Sequence, residues 1–213
     1  MKVQILVDNP DSWMVPYAES LCQILEQKKY EAELIHRHDQ LVKGDVVFLL
    51  SCEKLLKTEY RDLHRHNIVV HASKVPEGRG WSPMTWQILE GKNIIPLSML
   101  EAEERADTGP VYLRDELKLE GHELVQEIRT IMANKINQMC VRFLEEYPLA
   151  AIPQSGKGSN YPRRKAEDAK INIDASLISQ FNLLRICDNE KYPAYFEIHG
   201  KKYFLKIYKE GEQ

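Results

Sequence analysis

A histidine stands where a run of β-branched apolar residues gives way to a Pro- and Gly-rich stretch. Ile68, Val69 and Val70 lead into His71, and the chain continues ASKVPEGRGWSPMTWQILEG. An imidazole at the end of a buried strand can serve as a base or a hydrogen-bond donor near neutral pH. Asp107, in a charged turn before Gly109, could orient that histidine or take up its proton; an aspartate there could equally cap the turn. His64 and His66 stand close to His71 in sequence and raise the question of a metal. They precede the apolar run while His71 ends it, so extended chain separates them and no metal is expected. Gly78-Arg79-Gly80 lets backbone pass close to a ligand or forms a tight turn. It is not a P-loop and lacks the spacing of the dinucleotide fingerprint, and no GxSxG elbow is present.

The elements that must position these residues follow from periodicity. Val3–Val7 reads as a first strand, stopped by Asp8-Asn9-Pro10, and a helix is expected from about Pro16 to Lys28 with Tyr17, Leu21, Ile24 and Leu25 on one face. Glu31–His36 is a weak strand and Asp45–Leu50 a strong one, followed by the Ser51-Cys52-Glu53-Lys54 loop and a helical turn within Leu55–Leu63. The 68–70 run reads as a buried parallel strand that delivers His71 to the carboxyl edge of the sheet. Ser82 suits the cap of the next helix, Pro83 its first position and Gly91 its end. Asn93–Leu100 is a further strand, and Tyr112 and Leu113 suggest a short outer one. A long helix is expected within Gly121–Glu145, from Leu124, Ile128, Ile131, Met132, Ile136, Met139 and Phe143 at helical spacing; Met139 and Cys140 then belong to the core. This order predicts a mostly parallel α/β sheet flanked by helices.

From about Pro153 the composition changes. PQSGKGSNYPRRKAEDAKIN lacks core-forming residues and reads as an extended crossing segment, either solvated or, through Lys157, Arg163, Arg164 and Lys165, forming the rim of a phosphate-bearing site. A short helix over Ile173–Cys187, with Leu177, Ile178, Phe181 and Leu184 on its apolar side, precedes a hairpin of Ala194–Ile198 and Lys202–Tyr208 turning at His199-Gly200. The expected division is 1–150 for a catalytic domain and 151–213 for a short extension.

Over 213 residues the formal charge is −3, which gives no whole-chain signature of nucleic-acid binding. The four cysteines, Cys22, Cys52, Cys140 and Cys187, form no CxxC pair and read as free thiols of a reducing, cytoplasmic compartment. No apolar run reaches the length of a membrane helix, so no membrane partner is expected.

HASKVPEGRGWSPMTWQILEGKN, followed by ADTG, resembles the signature of the 10-formyltetrahydrofolate-dependent formyltransferases. His71 sits on the family histidine, Ser73 and Pro76 on a Ser-x-x-Pro turn, Arg79 and Gly80 on an Arg-Gly pair, and Asp107 with Gly109 on a later Asp-x-Gly. The likeness covers about residues 1–145 and extends weakly into YPRRKAEDAKIN and Tyr192-Pro193-Ala194. It implies a Rossmann-like sheet and transfer of a formyl group from N10-formyltetrahydrofolate, without a metal, to a primary amine. The short tail and the weak positive charge point to the sugar N-formyltransferases and a nucleotide-linked amino sugar, with one enzyme of pseudaminic acid synthesis among the similar short chains. A folate-binding relative with impaired catalysis and glycinamide ribonucleotide transformylase are the alternatives.

The resemblance implies roles for particular residues. His71 and Asp107 would carry the acyl transfer, with Ser73 and Asn67 as further polar groups of the site. The folate would lie against backbone of Leu97, Met99, Leu100, Glu101 and Glu104, with Gly109 beyond and Ser51 and Leu55 in a second wall. Arg79, Gly80, Trp81 and Arg163 would face the acceptor. One position departs from the family: the asparagine two residues before the histidine is Val69 here. Asn67 shares the face of Val69 and His71 but lies about 13 Å from His71 along an extended strand. It does not simply replace the missing amide, and either Ser73, a backbone N–H or another asparagine supports the formyl oxygen or activity falls. The C-terminal hairpin offers an edge through which a homodimer could form.

Overall fold

The computed structural model describes residues 1–211. Its centre is a six-stranded sheet of β1 (Lys2–Leu6), β2 (Glu31–Ile35), β3 (Gly44–Leu49), β4 (His64–His71), β6 (Ile94–Glu101) and β7 (Val111–Lys118), ordered β2-β1-β3-β4-β6-β7. A two-residue strand β5 (Arg79–Gly80) intervenes in the chain but belongs elsewhere. β2, β1, β3 and β4 run parallel; β6 and β7 close the sheet antiparallel. The sheet is thus mixed and mostly parallel, with β4 at the junction of the two halves. β7 runs for eight residues, longer than the stretch around Tyr112 and Leu113 predicts.

A single helical turn α2 (Thr58–Arg61) precedes β4, and helices α1 (Val15–Gln27), α3 (Pro83–Leu89) and α4 (Val125–Glu145) cover one face. Leu21 and Leu25 of α1, Ile128, Met139, Cys140 and Phe143 of α4, and Ile5, Phe48, Ile68, Leu97 and Met99 of the strands share this core. Each such fully buried side chain contributes about 1.5–3 kcal/mol relative to exposure, so this layer fixes the strand register. The other face carries a smaller cluster of Leu6, Val47, Leu49 and Leu56, with Cys52, Val69 and Ala102 packed against it.

Three local expectations need correction. β4 begins at His64, so His64 and His66 lie within the strand that His71 ends. Alternation sends His66 to the helix face, beside Phe143, and His71 to the opposite face. Ser82 occupies the cap position of α3 but has a left-handed backbone (φ 50°) and makes no side-chain cap bond. The expected helix over Ile173–Cys187 is a 3-10 turn at Ile178–Gln180 and a short α5 (Phe181–Arg185). Leu177 and Ile178 are exposed rather than on an apolar side, because Gln180 ties the preceding residues into a turn through Asn172 N and Asn172 O.

The C-terminal segment docks on the main body through buried ion pairs. Arg185, fully buried, lies 3.3 Å from Glu123 and 2.7 Å from Asn93 Oδ1, and Arg129 lies 2.6 Å from Asp188. The hairpin of β9 (Ala194–Ile198) and β10 (Lys201–Leu205) turns at His199 and Gly200, both left-handed, as a two-residue hairpin requires. Among the described residues no helix is long and apolar enough to cross a membrane.

Candidate active site

His71 ends β4 with its ring buried on the face away from the large helices. Its Nδ1 lies 3.3 Å from Asp107 Oδ1, and its Nε2 lies 2.9 Å from the carbonyl oxygen of Gly78. The second carboxylate oxygen of Asp107 accepts the Gly80 N–H at 3.0 Å. Asp107 itself has a left-handed backbone (φ 58°), uncommon for a residue with a side chain and a frequent mark of functional geometry. The turn therefore aims its carboxylate at the strand end and the Gly78–Gly80 backbone at once.

Ser73 is part of the frame. Its hydroxyl donates to Glu77 O at 2.8 Å, and its carbonyl accepts from Ser98 Oγ at 2.6 Å. Arg114 continues this chain to Ser98 Oγ and Val75 O. Asn67 is not brought to His71: its amide donates to Arg61 O at 3.1 Å and approaches Glu101 Oε1 at 3.4 Å. Val69 projects from the same face into the Leu49–Leu56–Ala102 cluster, so an apolar side chain stands two residues before the histidine.

The expected folate wall divides. Leu97 and Met99 are fully buried in the helix-side core; residues 98–100 pair with both β4 and β7, whereas Leu97 pairs with Asp115 of β7 alone. Glu101 is committed as well: its carboxylate accepts from Tyr112 Oη at 2.9 Å and from the Asn67 N–H, and lies 3.4 Å from His66. Burial, and then the Glu101 charge, push the Tyr112 phenol well up. Glu104 lies in an exposed loop outside the ladders. On the second wall Leu55 is exposed and Leu56 buried, so Leu56 faces the cluster. Ser51 has a left-handed backbone and lies 3.5 Å from Ser12 Oγ. Cys52, beside it, has its thiol pushed up to about 12 by burial and by Asp8, so it stays protonated and unreactive.

The segment after Pro153 crosses directly over the Gly78–Gly80 stretch. β8 (Asn160–Tyr161) pairs parallel with β5, and the Gly78 N–H donates to Ser159 Oγ at 2.9 Å. Gly80 (φ 95°) must lack a side chain, since a Cβ there would stand 2.6 Å from Tyr161 O. Burial, then its bond to Glu90, push the Tyr161 phenol up to about 12. Arg163 stacks on Trp81 with its guanidinium carbon 4.5 Å from the ring centroid, at the exposed rim. Gln154 joins Arg79 to the Asp107 turn. Sequence reasoning missed Gln154, Ser159 and Tyr161 because no periodicity marks a polar strap; only the local run of basic and turn residues hinted at it.

Curated relatives include the methionyl-tRNA formyltransferase of Thermosipho melanesiensis, 28% identical over 166 residues (78% of this chain, 54% of that one). They also include the cytosolic 10-formyltetrahydrofolate dehydrogenase of Xenopus tropicalis, 28% identical over 174 residues (79% of this chain, 19% of that one). This chain thus spans about half the length of the methionyl-tRNA formyltransferase, and less of the dehydrogenase. Among solved structures, the methionyl-tRNA formyltransferase of Clostridium thermocellum superposes with a TM-score of 0.83 at 21% identity, covering 99% of this chain and 95% of that one. A sugar N-formyltransferase from Shewanella superposes with a TM-score of 0.69 at 16% identity, over 97% of each chain. At such identities the structural likeness is one of fold. Residues 10–144 match the Formyl transferase family, and this chain belongs to it.

Proposed function

We propose that the protein transfers the formyl group of N10-formyltetrahydrofolate to the primary amine of a nucleotide-linked amino sugar. The observation that carries the transfer reading is the His71–Asp107 pair, set at the strand end and tied to the Gly80 N–H, in a chain of this family. The neutral amine attacks the formyl carbon, forming a C–N bond and a tetrahedral oxyanion. Collapse breaks the bond from that carbon to N10, and the amine proton passes to N10. His71 stabilises the oxyanion or relays the proton, and Asp107 holds the ring. Placement and a preorganised donor supply the rate gain. The apolar face of Leu49, Leu56, Val69 and Ala102 suits the flat pterin, and Trp81 with Arg163 suits the acceptor side.

An amino-sugar acceptor is supported by the superposition on the Shewanella enzyme over nearly the whole of both chains and by the net charge of −3, which disfavours a polyanion. Formylation of methionyl-tRNA is the second reading, supported by the names of the curated relatives and by the Clostridium superposition. The test incubates the protein and 10-formyltetrahydrofolate with UDP- and dTDP-linked 3-amino and 4-amino sugars, glycinamide ribonucleotide and methionyl-tRNA. A mass gain of about 28 on one sugar, lost in His71→Ala, supports the proposal. Gain on the tRNA alone moves the assignment to the second reading, and folate binding with no gain anywhere identifies a non-catalytic relative.

A further inference from the structure

Gln154 lies outside the residues matched to the family and outside every secondary-structure element, yet all three of its strong hydrogen bonds end at the site. Its amide nitrogen donates to Asp107 O at 2.9 Å and to Gly109 O at 2.7 Å. Its amide oxygen accepts from Arg79 Nη2 at 2.6 Å. We propose that Gln154 is a positioning residue for the acyl transfer: it clamps the Asp107–Gly109 turn against Arg79 and so fixes the carboxylate that orients His71.

The left-handed backbone of Asp107 is unfavourable for a side-chain-bearing residue and persists only where its surroundings over-determine it. Gln154 holds the carbonyl of that residue, while Gly80 N–H and His71 hold its carboxylate. Gly109 is fixed at the other end of the turn, where a Cβ would stand 1.9 Å from Glu101 O. Arg79 in turn is anchored by its backbone N–H to Ser159 O at 3.0 Å. The contacts close a ring from His71 through Asp107, Gln154 and Arg79 to Gly80 and back to Asp107. Only a side-chain amide of this length donates to two carbonyls and accepts from a guanidinium together. Glutamate keeps the acceptor and loses both donors; methionine keeps the shape and loses all three bonds.

The kinetic part of this inference rests on the formyl-transfer reading; the spectroscopic part does not. Full-length wild type, Gln154→Met, Gln154→Glu and Asp107→Asn are compared by the imidazole 15N signals of His71, assigned with His71→Ala, and by steady-state kinetics on whichever acceptor the panel assay identifies. Gln154→Met is expected to move the His71 signals in the same sense as Asp107→Asn. It should lower kcat about 10²-fold, the scale of a 1 Å misplacement, with KM for 10-formyltetrahydrofolate within about threefold. Gln154→Glu should do the same although it retains the Arg79 contact, and it carries both readouts if the methionine variant fails to fold. His71 signals superimposable on wild type in either folded variant, or an unchanged kcat, would overturn the proposal. A wild-type protein that formylates no acceptor defeats the functional reading, while the His71 signals still decide the role of Gln154.

Discussion

The Nε2 atom of His71 lies 2.9 Å from Gly78 O while its Nδ1 lies 3.3 Å from Asp107 Oδ1. Both ring nitrogens face acceptors, and in either neutral tautomer one of the two contacts is a donated hydrogen bond. The ring is thus held between a carboxylate and a loop carbonyl. On the proposed reading, Nε2 would exchange Gly78 O for the developing oxyanion, which would make the 76–80 loop part of the chemistry.

Removing the imidazole tests this arrangement most directly. His71→Ala is expected to lower kcat by about 10²–10⁴-fold, the usual contribution of a positioned proton-transfer group. Folate binding should be little changed, since the apolar face of Leu49, Leu56 and Ala102 stays in place. Titration calorimetry with tetrahydrofolate beside single-turnover kinetics separates the two; equal losses in both would assign His71 to binding.

Val69 gives a prediction of opposite sign. An amide two residues before the histidine would supply a preorganised donor near the reacting oxygen, and such donors contribute up to about 10²–10³ in kcat. Val69→Asn should therefore raise kcat. The same change places an amide against Leu49 and Leu56, so stability should fall by about 1–3 kcal/mol, the protein-derived cost of burying a polar group. A denaturant titration and a rate measurement on one preparation check both signs. A slower, less stable variant would show that another group already serves the oxyanion.

How much of this site was legible in the sequence depends on the kind of signal. β1, β3 and α4 follow from continuous apolar runs and a helical stripe, and the hairpin follows from His199-Gly200, so periodicity and turn chemistry located them. His71 and Asp107 were legible because a polar residue at a strand end and a motif spaced 36 residues later both point to one cleft. The antiparallel direction of β6 left no mark on its residues, since a strand buried on both faces reads the same either way.

Where the structure places a residue otherwise than its spacing suggests, the reason is identifiable. Alternation along β6 turns the Leu97 and Met99 side chains into the helix-side core, a placement that the resemblance alone does not reveal. Asn67 shares a face with His71, but its nearest acceptor is the Arg61 carbonyl. Leu177 and Ile178 fit a helical stripe, but Gln180 folds that stretch into a turn. Gln154 was invisible because a long-range bond from a loop amide has no periodicity.

The rim predicts a split between binding and turnover. Arg163 stacks on Trp81 and lies 4.0 Å from Glu53, and neither contact involves His71 or Asp107. Arg163→Ala should raise KM for the acceptor by about 3–30-fold with kcat nearly constant, the pattern of an interaction equal in ground and transition states. A fall in kcat at unchanged KM, read from initial rates across acceptor concentrations, would place Arg163 in the chemistry instead.

The docking of the C-terminal segment sets a pH limit on stability. Burial alone would push the Glu123 carboxyl up, yet the Glu120 and Gly121 N–H groups hold it below its ordinary value. Burial likewise opposes ionisation of Asp188, and the Lys191 and Glu190 N–H groups with the Arg129 guanidinium overcome it. A carboxyl depressed in the folded state contributes stability that is present above its unfolded value and is lost as pH falls through the folded one. With unfolded values of about 4.3 and 3.9, the loss should begin near pH 4 and grow below it. Arg185 is then left buried opposite a neutral partner, a costly arrangement. Wild type is expected to lose thermal stability steeply from about pH 4 downward, whereas a Glu123→Gln, Asp188→Asn protein, less stable at neutral pH, should show a shallower acid slope. Parallel melting curves across that range would mean that other carboxylates govern acid unfolding and that these two ion pairs do not set the limit.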